Sequence, residues 1–370
     1  MKKILFNGFY GYKNTGDDAF IEIASWGNNH FWKNTNAPCF TGEHLPETSL
    51  PIKRIYPEKC SNKIIQKISV FNATLNSDYF INAGGSVFSE IRPLSNIAFA
   101  KRANSINKQL KHGAIGVSIG PFQSVEDEKN TKKYLQKLSF LALRDKRSYD
   151  FATSLNLNYK PINAFDLAAL LPQCFKNFDF QDKQNVSSPK KTIGISICNY
   201  ERYYNGDLSN EKKRNQFVTD LLNKLSKNNN FHFKFFIFNG NQKIGDEKLT
   251  HETISKIKSD NISILPYTGN VQKVWSEIKT CDFILSTRLH ASIFSCYANI
   301  PFMLIEYHRK CTDFLQDIGY DKGLQIGDAQ SDTQSVYENI IQILDGKYNY
   351  PTNLENTIER ALLNFTKVQL

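Results

Sequence analysis

The chain has 370 residues, 41% hydrophobic and 22% charged, and its 46 basic against 36 acidic side chains leave a net charge of +10. That length suits two domains with a core each, and the composition is that of a globular protein rather than a disordered or fibrous one. No window approaches the roughly 18 uninterrupted apolar residues of a membrane span, and the N-terminal stretch lacks the apolar core and cleavage site of a signal peptide, so a cytoplasmic location is expected. The positive charge favours an anionic partner. Its lysines are spread over polar stretches such as NEKKRNQFVTDLLNKLSKNNN, with no RNP-like motif, zinc finger or dense basic stripe, so no nucleic-acid partner is expected. The seven cysteines (39, 60, 174, 198, 281, 296 and 311) are scattered and never form CxxC, which predicts reduced thiols, no disulfide framework and no metal site.

Along the chain, short runs rich in Ile, Phe and Val alternate with longer amphipathic stretches, the signature of βα units around a parallel sheet. Strands are predicted at 3–9, 78–84, 113–120 and 140–145, with helices at 18–32, 97–111, 129–139 and 146–156. The pattern dissolves into PQCFKNFDFQDKQNVSSPKK and then restarts. Strands follow at 191–197, 233–239, 262–268, 283–287 and 302–307, and helices at 211–228, 271–279, 289–299, 312–318, 332–346 and 353–368. The expected organisation is an N-terminal domain over 1–172, a linker over 173–190, a C-terminal domain over 191–350 and a C-terminal helix over 351–370. The fold class is α/β, two doubly wound domains with an interdomain cleft, and ligands of such sheets bind beyond the carboxyl ends of the strands.

The first strand runs into GFYGYKNTGDDAF, where Gly11 and Gly16 allow sharp bends or close approach and Asp17 and Asp18 open a helix. A turn capped by Asp17 is one reading. The spacing is not GxGxxG, and two carboxylates at a helix start would repel a pyrophosphate. Acidic groups there suit sugar hydroxyls, or a base that takes a proton from one. NAGGS places Gly84, Gly85 and Ser86 at the end of the second strong strand, as a plain turn or as a site wall. LALRDKRSYDF puts Arg144 at another strand end, where an arginine is commonly an ion-paired interdomain residue.

In STRLHASIF, Arg288 and Leu289 follow the strand FILST, and His290 falls in the first turn of an apolar helix. Free backbone N–H groups at such a terminus bind anions. A helix N-terminus holds an imidazole neutral and a bound phosphate dianion charges it, which would prepare His290 as a general acid. Twenty residues on, HRK brings Lys310 to the end of FMLIEY.

The segments GFYGYKNTGDDAF, INAGGSVFSE, LALRDKRSYDF, NAFDLAALLP and CDFILSTRLHASIFSCYANIPFMLIEYHRK resemble, in order, the motifs of the polysaccharide pyruvyl transferase family. The resemblance implies two Rossmann-like domains in a GT-B-like arrangement, the N-terminal one on the acceptor side and the C-terminal one on the donor side. It implies transfer of the pyruvyl group of phosphoenolpyruvate to two sugar hydroxyls as a cyclic ketal, with no cofactor. Arg144, Arg288, Leu289, His290 and Lys310 would bind phosphoenolpyruvate, whose carboxylate and phosphate suit two arginines and a lysine. His290 would be the acid and Asp17 or Asp18 the base. Gly11, Asn14, Gly16, Asp17, Gly84, Gly85 and Ser86 would form the acceptor-side loops. The sequence departs from the family at Ser86, where a third glycine is common, and at His308 and Arg309, where smaller residues precede the lysine. The acceptor would be a sugar in a surface polysaccharide precursor, lipid-linked or soluble, and the charge is compatible with peripheral contact at the inner membrane face. The oligomeric state is not legible. A GT-B nucleotide-sugar glycosyltransferase is the alternative, and a non-catalytic anion- or nucleic-acid-binding module a more distant one.

Overall fold

The computed structural model describes residues 1–56, 62–180, 190–204, 206–327 and 332–370. It divides into two compact units, one of Met1–Lys13, Asp17–Cys174 and Glu355–Leu370, the other of Asn14–Gly16 and Phe175–Leu354. Both are α/β and Rossmann-like. Half of the expected linker, residues 181–189, lies outside the described residues, as does Cys60; the other six cysteines are free thiols.

The first unit carries strands β1 (Ile4–Asn7), β2 (Cys39–Phe40), β3 (Lys53–Arg54), β4 (Tyr79–Phe88), β5 (Lys111–Ile119), β6 (Phe140–Leu143) and β7 (Ile162–Asn163). They form one sheet in the order β3-β2-β1-β4-β5-β6-β7, every described pair parallel. Helices α1 (Thr15–His30), α2 (Lys63–Leu75), α3 (Asn96–Ile106), α4 (Val125–Leu135), α5 (Lys146–Thr153) and α6 (Leu171–Cys174) follow in sequence. Strands β1 and β6 are buried along their whole length, as parallel strands covered on both faces must be. Their apolar side chains join those of α3 and α4 in one core built from Leu5, Phe80, Val117, Leu141 and Tyr134.

Sequence periodicity missed α2, and the reason is its surface: Ile64, Ile65 and Ile68 are exposed and only Val70 and Thr74 are buried, so its apolar residues do not mark an inward face. The two-residue strands β2, β3 and β7 are too short for a pattern. β4 runs past its expected end because Gly84 and Gly85, at φ 75° and 79°, bend the backbone and shift its register against β5 without ending the pairing.

The second unit contains β8 (Lys191–Ser196), β9 (Phe231–Phe236), β10 (Ile262–Leu265), β11 (Phe283–Ser286) and β12 (Phe302–Leu304), in the order β10-β9-β8-β11-β12, again parallel. Its helices are α7 (Leu208–Leu225), α8 (Glu247–Ile254), α9 (Val271–Lys279), α10 (Leu289–Tyr297), α11 (Arg309–Asp317) and α12 (Thr333–Leu344). Ile193, Ile195, Phe233, Phe235, Phe283 and Leu285 pack with Leu221, Leu222 and Ile340 in its core. α8, too polar to stand out in the sequence, was not expected.

The last helix, α13 (Leu354–Thr366), is not a separate appendage over 351–370: from Glu355 onward it belongs to the first unit. Phe365 stacks on Phe31 at 5.4 Å between centroids, Trp32 donates from Nε1 to the Val368 carbonyl at 3.0 Å, and Asn364 accepts from the Gly116 amide at 2.6 Å. Among the described residues no helix is long and apolar enough to cross a membrane.

Candidate functional site

In each sheet the chain reverses direction at one point, between β1 and β4 in the first unit and between β8 and β11 in the second. A crevice opens beyond the carboxyl ends of the strands at such a switch. In the second unit this switch point is bordered by the loop after β8, whose described residues are 197–204 and 206, and by Thr287, Arg288 and the start of α10. The two borders are tied together: the Cys198 amide donates to Thr287 Oγ1 at 2.7 Å, and the Thr287 amide to the Ser196 carbonyl at 2.8 Å.

Arg288 is the residue before α10, extended at φ −81° and ψ 115°, and makes no side-chain cap. Leu289 and His290 therefore lie in the first helical turn, at the switch-point end of the helix. The helix behind them is buried from Ala291 to Tyr297. Arg288 is held by Asp246, a fully buried carboxylate at the start of α8. Its Nε donates to Oδ2 at 2.9 Å and Oδ1 at 3.1 Å, and its Nη2 donates to Oδ1. Asp246 is anchored in turn by the Asn239 amide at 3.0 Å. Burial works against the guanidinium charge, but the Asp246 carboxylate outweighs it and raises the Arg288 pKa well above its ordinary value. Arg288 is thus a permanent cation presenting its remaining Nη1/Nη2 edge.

Lys310 does not sit at a bare strand end. α11 begins at Arg309, three residues earlier than expected, with His308 as its cap: His308 Nδ1 accepts from the Lys310 amide at 3.1 Å. Burial, Lys310 and Arg309 lower the His308 pKa to about 4, so it is neutral and able to accept. The Lys310 ammonium lies 5.8 Å from the Tyr200 ring centre and 5.6 Å from that of Tyr307.

The tail of the glycine loop also belongs to this unit. The Thr15 amide donates to the Phe238 carbonyl at 2.9 Å, and Asn14 bridges to Asn239. At the α1 terminus Asn14, just before the helix, accepts from the Gly16 amide at 3.1 Å, and Asp17 lies within the first turn. Gly16 is a steric requirement, because a Cβ there would overlap the His290 ring at Nδ1 and Cγ.

Asp17, Asp18, Gly11, Gly84, Gly85, Ser86 and Arg144 lie in the first unit. Asp18 is buried, 1% exposed, whereas Asp17 is half-buried beside the glycine turns. A Cβ on Gly85 would stand 4.0 Å from Asp17 Oδ1, and burial, with the Asp17 charge next, raises the pKa of the Tyr10 phenol. Gly11 needs its positive φ of 83°, and a Cβ there would meet the Glu43 amide at 2.6 Å. Arg144 is paired inside its own unit, not across domains. It donates to Asp166 at 2.6 Å and Ser118 Oγ at 2.7 Å, with Ser86 Oγ at 3.5 Å.

Sequence reasoning missed Asp246, whose partner is 42 residues away, and the loop NYERYYN after β8, which carries Tyr200 and Tyr204. The signal for the loop was its place after the first strand of a restarted βα pattern. Among the described residues no group of three or more His, Cys, Asp or Glu could hold a metal ion.

A model of the polysaccharide pyruvyl transferase family matches residues 10–309. Comparison with curated proteins gives no match. Solved structures share the fold at low identity. The UDP-GlcNAc 2-epimerase of Neisseria meningitidis bound to UDP-GlcNAc has a TM-score of 0.60 and 12% identity, covering 100% of both chains. That of Methanocaldococcus jannaschii has a TM-score of 0.60 at 12% identity over 99% of this chain and 100% of its own. The Rickettsia bellii UDP-N-acetylglucosamine 2-epimerase has 0.55 at 13% over 98% and 94%. At such identities they show the two-domain, GT-B-like fold alone.

Proposed function

Since the chain belongs to the polysaccharide pyruvyl transferase family, we propose that it transfers the pyruvyl group of phosphoenolpyruvate to two hydroxyls of a sugar unit, forms a cyclic ketal and releases phosphate. The observation that carries this reading is Arg288, fixed as a permanent cation by buried Asp246 at the amino end of α10, on a topological switch point. In this reading its outer Nη1/Nη2 edge and Lys310 grip the two anionic groups of the donor, and the Leu289 amide adds a further donor. Arg144 would be a further donor contact. Asp166 already neutralises much of its charge, which suits orienting a carboxylate better than compensating a dianion.

His290 then protonates C3 of the enol phosphate, and a sugar hydroxyl attacks C2 while passing its proton to a carboxylate. Asp17 suits that role better than Asp18, which is buried. The second hydroxyl attacks the same carbon as the C2–O bond to phosphate breaks, and its proton leaves with the phosphate or the base. The sum is phosphoenolpyruvate plus diol giving ketal plus phosphate. A lipid-linked acceptor at the inner membrane face would suit the +10 chain.

Incubation with phosphoenolpyruvate and candidate acceptors should release phosphate and add the ketal mass to the sugar. Release of nucleotide from a nucleotide sugar would instead support the glycosyltransferase alternative, against which the family match weighs. His290→Ala should still bind phosphoenolpyruvate but lose at least about 100-fold in kcat. Undiminished turnover in that variant would remove His290 from the acid role.

A further inference from the structure

The loop after β8 carries two tyrosines that the donor site does not use as ligands. Their rings are stacked, centroids 4.6 Å apart and planes 27° from parallel, and Tyr204 is 67% exposed. Tyr200 continues the surface inward, 4.8 Å from the Tyr307 ring and 5.3 Å from His308. Exposed aromatic rings on a loop are usually mobile, but the described part of this loop is pinned from below. Glu211, fully buried in α7, accepts from the Tyr200 amide at 2.9 Å, the Arg202 amide at 3.2 Å and Arg202 Nε at 2.5 Å. Arg214, also fully buried, grips Glu201 through two hydrogen bonds of 2.8 and 2.5 Å, and its guanidinium carbon lies 5.6 Å from the Tyr307 ring centre. Asn215 ties down Asn199 at 3.0 Å.

Burying two carboxylates and a guanidinium is costly, and an apolar core would hold α7 against the sheet as well. What the ionic network adds is a fixed loop conformation, the support that a binding constellation needs. The Tyr200 phenol stays neutral: burial, with Tyr204 and Glu201 next, pushes it up to about 12.

We propose that the stacked Tyr200–Tyr204 pair is a sugar-ring subsite of the second unit, on which a pyranose of the acceptor lies next to the anion site. The proposal deepens the pyruvyl transfer reading and rests on it for the saccharide class of the acceptor. A pyranose has one face of C–H bonds, slightly positive, that settles on the negative face of an aromatic ring, while its hydroxyls at the rim reach polar partners. The outward face of the exposed Tyr204 ring is the platform for one pyranose, and the inner ring stacked behind it abuts the Tyr307–His308–Lys310 corner where the donor's charge would be held. The acceptor therefore has a contact on these rings, and sugar units without an unobstructed C–H face are poor acceptors.

The test is saturation-transfer NMR on the full chain, with methyl β-D-galactopyranoside, methyl α-D-mannopyranoside and UDP as probes, for the wild type, Tyr204→Ala and Tyr204→Phe. Phosphoenolpyruvate binding to each protein is measured separately by calorimetry. The wild type should saturate ring protons of one face of a glycoside, Tyr204→Ala should lose roughly five-fold or more of that signal, and Tyr204→Phe should restore it. Phosphoenolpyruvate affinity should be equal in all three. Equal sugar signals in wild type and Tyr204→Ala, no sugar signal in the wild type, or saturation confined to the uracil of UDP would each overturn the subsite. If phosphoenolpyruvate binds none of the proteins, the donor reading fails, and the sugar signals still decide the subsite.

Discussion

Arg288 shows what a sequence can and cannot disclose about a single side chain. Its place between an apolar strand and an apolar helix marks it as deliberate, because neither neighbour leaves a solubility role for it. Its state is set by Asp246, 42 residues distant and inconspicuous in NQKIGDEK. Asp246→Asn leaves the guanidinium half-buried without its counter-charge, which should cost about 3 kcal/mol of stability and at least ten-fold in phosphoenolpyruvate affinity. Urea unfolding and calorimetric titration measure the two, and unchanged affinity would mean that Asp246 does not orient Arg288. The same limit applied to Arg144: its strand-end position was legible, but not that Asp166 and Ser118 already engage its Nη1 and Nε donors. The placement of Leu289 and His290 in the first turn of α10 was legible because it depends only on where a helix starts. Tyr200 and Tyr204 were not, because their meaning comes from packing against Glu211 and Tyr307.

Among the elements, the long buried strands and the helices with a sound cap could be read from the sequence, and α9, with Asn270 accepting from the Lys273 amide, has the expected bounds. Elements whose apolar side faces outward, such as α2, or whose length is two residues could not, because they carry no periodic signal. The start of α1 against the start of α10 is the element contact with the plainest consequence. Gly16→Ala should force the His290 ring aside, costing about 1–3 kcal/mol and lowering kcat while leaving the fold intact. Because the clash needs the imidazole, the stability penalty should largely vanish in a His290→Ala background, a double-mutant cycle read from unfolding midpoints. A penalty that persists there would show that Gly16 is required by the helix start itself.

For the whole molecule, acid is the condition that distinguishes the buried groups. His112, 5% exposed against Tyr134, has its pKa lowered to about 4 by burial and then by Lys137. A histidine whose folded pKa lies below the unfolded value near 6.5 binds fewer protons folded than unfolded between the two. Its contribution is therefore present above about pH 6.5 and is lost as pH falls toward 4, a change of about 2–3 kcal/mol. His308 acts in the same direction, and Glu22, raised by burial, in the opposite one. Urea midpoints should fall across that window, and the fall should be smaller in His112→Gln. The order of synthesis sets a further condition. The first unit lacks α13 until residues 355–370 emerge, after the whole second unit has been made. On the ribosome, Phe31, Trp32 and the Gly116 amide must wait for Phe365 and Asn364, so the N-terminal half is the part of the nascent chain most exposed to chaperones and proteases, although it is made first.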